Sequence, residues 1–150
     1  MSNTSVTDLT QRPPRSARAN LGGFVLLPRM LDKGRATIAG KNGDYKYNCP
    51  LDQQFTTFAG IDAEAMLEQL RQGKGDGEIL TWVHETATQK RAPWEIQHWS
   101  CYMNSRTPTD VETREFFSGL HKAAGENRED IGTWADLLDL DDYVSYGGKA

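Results

Sequence analysis

Between Pro28 and Asp52 the chain concentrates two arginines, three lysines, two tyrosines and a cysteine. Within that stretch Arg29, Lys33, Arg35, Tyr45, Tyr47, Cys49 and Asp52 have the side chains a binding site for an anion would use. Arg29 and Lys33 stand four residues apart, so on a helix both present their charge to one ligand. Guanidinium and ammonium groups grip phosphate or carboxylate, and the glycine in Lys33-Gly34-Arg35 would admit close backbone approach. The glycine spacing of a P-loop or a dinucleotide fingerprint is absent. The opposing reading pairs these cations within the chain, with Asp32, Asp52 or the acidic C-terminal run.

Cys49 precedes a helix start at Pro50, where the helix dipole favours a thiolate. That is the chemistry of a nucleophile, although no catalytic-cysteine motif surrounds it. A small buried cysteine that only packs explains the same position. His84, His98 and His121 lie on three separate predicted helices, each at the edge of an apolar stripe. Glu95 and His98, three apart, have the spacing of a helical-bundle metal pair, so a three-histidine metal site between helices is one arrangement to test. There is one such pair and no HExxH, and no metal ligands are assigned. Trp82, Trp94, Trp99 and Trp134 fit a core and would equally fit a pocket wall.

Helical patterns must position these residues, and strand signals are scarce. Phe24, Leu27, Met30, Leu31 and Ile38 predict a helix over Gly23–Ala39, with kinks at Pro28 and Gly34. A turn follows at residues 40–44, and Tyr45 and Tyr47 alternate with polar residues as a short extended piece would. Pro50 opens a second helix to about Phe58. Asp62 caps a third carrying Met66, Leu67 and Leu70 and closed by Gly73, and Asp76 caps a fourth carrying Ile79, Leu80 and Val83. Pro93 starts a fifth. Thr109 with Glu112 makes a capping box for a sixth that stops at Gly125, and Thr133 caps the last. The fold class is therefore all-α: a compact single domain of six or seven short helices over residues 19–150. A polar N-terminal arm, residues 1–18, runs extended through Pro13-Pro14, and an irregular tail closes the chain.

At 150 residues the chain is long enough for one continuous core. No apolar run approaches the ~18 residues that cross a bilayer. The start, MSNTSVTDLTQ, lacks a basic region followed by an apolar one and reads as a frayed polar tail, not a secretory signal. Without an export signal, Cys49 and Cys101 read as reduced thiols in a cytoplasmic protein. The net charge of -4 hides an asymmetry: residues 1–50 carry eight basic and three acidic side chains, whereas residues 51–150 carry nine basic and eighteen acidic. Either the two halves attract each other within one domain, or the basic half meets an anion or an acidic partner. The acidic balance disfavours nucleic acid.

The segments PRSARANLGGFVLLPRMLDKGRA, GDYKYNCPLDQQF, GKGDGEIL and REDIGTWADLLDLDDYVSYGGKA resemble an uncharacterised bacterial family, domain of unknown function 5069. The resemblance runs from about Leu9 to Ala150 and rests most on LDKGRA, YNCPLD and DLLDLDDYVS. It implies a standalone, cytosolic, mainly helical bacterial protein, and no activity, cofactor or catalytic residue comes with it.

Three functional readings stand at this point. In the leading one, a binding module uses the surface of residues 29–52 to hold a small anionic ligand or an acidic protein partner. In the second, an enzyme gathers Cys49, His98 and the basic residues around one pocket, with or without a metal. In the third, a structural protein docks its arm and acidic tail on a neighbouring subunit.

Overall fold

The computed structural model describes residues 6–150, and among these it holds seven helices and one two-stranded hairpin. The first element was not expected from the hydrophobic spacing. β1 (Asn20–Leu21) pairs antiparallel with β2 (Phe24–Val25), Asn20 opposite Val25 and Leu21 opposite Phe24. Gly22 and Gly23 turn the hairpin with φ of 60° and 88°, the two positive values a type I′ turn requires. The predicted helix over Gly23–Ala39 is therefore shorter, because Phe24 and Val25 are spent on the strand. Leu26 at φ 72° redirects the chain into α1 (Leu27–Ile38).

Pro28 lies in the first turn of α1, where its missing N–H removes no helical bond. Gly34 lies within the helix and serves close packing, not ligand approach. A Cβ there would come within 2.6 Å of Leu70 Cδ1 and 3.2 Å of the Tyr47 ring. The segment after α1 is turns with no strand around Tyr45 and Tyr47, and Asn48 takes φ 59°. Pro50 falls in this turn region, and α2 begins at Asp52 and runs to Ala59.

The remaining helices follow their caps closely. Asp62 accepts the Ala65 N–H at 2.8 Å at the head of α3 (Ala63–Arg71). α4 (Asp76–Thr86) starts one residue after its cap, Gly75, whose N–H is taken by Glu78 at 3.1 Å. Asp76, expected as that cap, is free to pair with arginines. α5 (Pro93–Ser105) is followed by α6 (Val111–Gly125), where Asp110 caps Thr113 N–H at 2.7 Å, one residue beyond the expected Thr109 box. α7 (Trp134–Ser145) is capped by Thr133 through Asp136 N–H at 3.1 Å.

The core gathers between the hairpin and α1, α2, α3, α4 and α5. Phe24 meets Phe55 edge-on at 5.3 Å, and Phe58 stacks on Trp99 at 5.0 Å. Of the four tryptophans only Trp99 is buried; Trp94 is 62% exposed. Buried Ser100 on α5 ties the hairpin down, donating to Gly23 O at 2.5 Å and accepting Val25 N–H at 3.2 Å.

The arm does not lie loose from residue 8 onward. Leu9 is 1% exposed, its N–H donates to Lys41 O at 2.9 Å, and its carbonyl accepts the Tyr146 hydroxyl at 2.5 Å. Residues 1–5, the first part of the tail expected to fray, lie outside the described residues. Among the described residues no helix is long and apolar enough to cross a membrane.

Candidate functional site

The polar face of α1 meets α7, the turn region after α1 and the arm, and a cleft of about 810 Å³ opens between them. Arg29 and Lys33 line its floor, one helical turn apart. Both are almost fully buried, at 4% and 3% exposure, and both are paired.

Arg29 donates to both oxygens of Asp142 on α7, at 2.8 and 3.4 Å, and to Arg15 O at 3.2 Å. Burial works against its charge, but the Asp142 bonds outweigh that and hold the guanidinium protonated more firmly than usual. Its carbon stands 5.5 Å from the centre of the Tyr45 ring, whose hydroxyl donates to Asp142 at 2.7 Å. Burial, then the Asp142 charge and neighbouring Tyr146, push the Tyr45 phenol well above its ordinary value, so it stays a neutral donor. A guanidinium has five N–H groups, and three hydrogen bonds leave two without an acceptor among the described residues.

Lys33 reaches Asp52 at 2.9 Å and Cys49 Sγ at 3.3 Å. Asp52 is completely buried and also accepts the Asn48 N–H at 2.9 Å, which fixes the loop carrying Cys49. Cys49 is half-buried and lines the cleft; both cysteines are free thiols, Cys101 being exposed on α5. Lys46 is exposed, lines the cleft, and has no ion-pair partner among the described residues. Asp141, also exposed, lies on the α7 wall; partial burial and the adjacent Asp142 raise its carboxyl above the ordinary value although Arg29 pulls the other way.

Of the seven residues singled out in the sequence, Arg29, Lys33, Tyr45 and Cys49 share this cleft, and Asp52 backs it. Arg35 and Tyr47 do not join them. Arg35 bonds Asp76 at 2.9 Å and Lys74 O at 3.2 Å, in a network with Arg15 and Asp32. Tyr47 faces α3, where its hydroxyl donates to Ala63 O at 2.6 Å. Burial first, then Asp52, Glu64 and Asp62, push its phenol up as well.

Sequence reasoning missed the α7 wall of Asp141, Ser145 and Tyr146, and the arm residues Leu9 and Thr10. The one available signal was charge. The basic half was legible as a match for the acidic run, and the pairs Arg29–Asp142, Arg18–Asp136 and Arg18–Asp139 show that match.

The histidines do not converge. His98 packs against Trp94 on α5 at 5.6 Å, His84 lies 6.2 Å from Phe24, and His121 Nε2 bonds Arg128 O at 2.8 Å. None of the three lines this cleft. Among the described residues no group of three or more histidine, cysteine or acidic side chains is placed to hold a metal ion.

The chain belongs to the family described as Domain of unknown function (DUF5069), whose model matches residues 11–144. A comparison with curated proteins found no match.

Proposed function

We propose that this protein is a binding module whose α1–α7 cleft holds a small polar ligand through an anionic group. The observation that carries the reading is the cleft's construction. Two cations on one face of α1 are held by buried aspartates, and beside them stands a third, Lys46, with no ion-pair partner among the described residues. Such fixed donors bind an anion without first having to be ordered. The volume lies within the range of small-molecule sites.

An acidic macromolecular partner has less support. Arg15, Arg18 and Arg35, the arginines outside the cleft, are each matched by the chain's own carboxylates, which leaves little unspent charge for a broad surface. The enzyme reading retains one favourable observation, the 3.3 Å contact between Lys33 Nζ and Cys49 Sγ. An ammonium there would stabilise a thiolate nucleophile. His98 takes no part in that constellation. A cytosolic location in a bacterial cell belongs to the same proposal, and two free thiols, one of them exposed, support it.

Calorimetric titration with inorganic phosphate tests the reading. Lys46→Gln removes an exposed charge without touching the core. Wild type should bind phosphate saturably and the variant several-fold more weakly. Equal binding by both, or none by wild type, refutes the cleft as an anion site.

A further inference from the structure

A second depression, an apolar groove of about 440 Å³, runs alongside the polar cleft. Leu51 beside α2, Phe116 and Leu120 of α6, and Trp134, Leu137 and Leu138 of α7 form its walls, with Arg106 at the margin. Phe116 and Leu120 stay 62% and 43% exposed, so two large apolar side chains face an unfilled channel. The groove is not isolated. Leu51, Leu138 and Asp141 line both depressions, so the apolar channel adjoins the cleft that carries Arg29, Lys33 and Lys46 together with Asp44 and Asp141.

From this adjacency we propose that the ligand is an amphiphilic anion, a medium-chain carboxylate. Its head lies over Lys33 and Lys46, and its tail passes Leu51 and Leu138 to reach Phe116, Leu120 and Trp134. The proposal rests on the anion reading of the polar cleft and adds the tail. A polar compartment and a mainly apolar one lie side by side with Asp141 at their common edge, and an amphiphile spans such a pair end to end. A second copy of the chain seated on α6 would cover the groove but leave the polar cleft unused.

The test is calorimetry with acetate, butyrate, hexanoate, octanoate, octanol and inorganic phosphate. It uses wild type and the double variant Phe116→Ser/Leu120→Ser, whose two positions are exposed. Each added methylene should tighten binding about fourfold until the groove is filled. Octanol should bind at least about tenfold more weakly than octanoate, because it lacks the charge. The double variant should flatten the chain-length series and keep its phosphate affinity.

Phosphate binding with a flat series in wild type would overturn the tail and leave the anion reading standing. Octanol binding as well as octanoate would overturn the joint site. No binding of phosphate or of any carboxylate would end both proposals. A concentration-dependent dimer abolished by the double variant, together with a flat series, would assign the groove to a second copy.

Discussion

The Arg29–Asp142 pair fastens the α7 wall of the cleft to α1, so Asp142→Asn should be severely destabilising. Asparagine keeps the shape but only one of the two acceptor oxygens; Tyr45 bonds one and Arg29 bonds the other most closely, so the substitution removes the counter-charge and turns an amide NH2 toward one of these donors. The two side chains are only 4% and 9% exposed, which leaves the guanidinium charge buried without compensation. Breaking one half of such a pair costs about 3–5 kcal/mol. Urea unfolding followed by tryptophan fluorescence would read this as a lower midpoint at unchanged slope.

Two companions sharpen the result. Arg29→Met/Asp142→Leu removes both charges and should lie within about 2 kcal/mol of wild type, since apolar replacement of a buried pair is often close to neutral. Phosphate should stabilise Asp142→Asn more than wild type, because it supplies the missing negative charge beside Arg29. A loss under about 1 kcal/mol for Asp142→Asn would match a solvated surface pair and refute the claim that this wall is rigid.

Further outcomes follow from other parts of the fold. Leu9→Ala should cost about 2–5 kcal/mol in the same unfolding assay, because Leu9 is 1% exposed; a loss under about 0.5 kcal/mol would make the arm a surface appendage. Burial pushes the Asp76 carboxyl upward, but its bonds to Arg15 and Arg35 outweigh burial and hold it below the ordinary 3.8. A lowered folded value gives stability that is present above pH 3.8 and lost as pH falls through the folded value. Asp76→Asn should therefore be less stable than wild type near neutrality, with the gap closing in acid; a gap that does not vary with pH contradicts this. Iodoacetamide should label exposed Cys101 before half-buried Cys49. The reverse order, lost in Lys33→Met, would favour the nucleophile reading.

The helical part of the fold was legible because it is written in local chemistry. Asp62 and Thr133 cap where their side chains predict, and Pro93 opens α5 as expected. The hairpin at residues 20–25 was misread because Phe24 and Leu27 also fit a helical spacing; the signal that decides is the Gly22-Gly23 pair, which alone supplies two positive φ values in succession. The candidate site was half legible. Arg29 and Lys33 share a face because α1 puts them one turn apart, a local property. Arg35 and Tyr47 leave the site because Asp76 and Ala63 claim them, and those partners are 41 and 16 residues away. The α7 wall was out of reach for the same reason: Asp142 meets Arg29 across 113 residues, and periodicity carries no such distance.

The most direct test of the anion-binding cleft is a titration of isotope-labelled protein with inorganic phosphate, followed residue by residue in amide nitrogen–proton spectra. Saturable shifts should concentrate on residues 29–33, 43–51 and 141–146, within the millimolar range of a weak anion site. Shifts that do not saturate, or that cluster away from those segments, would contradict the account.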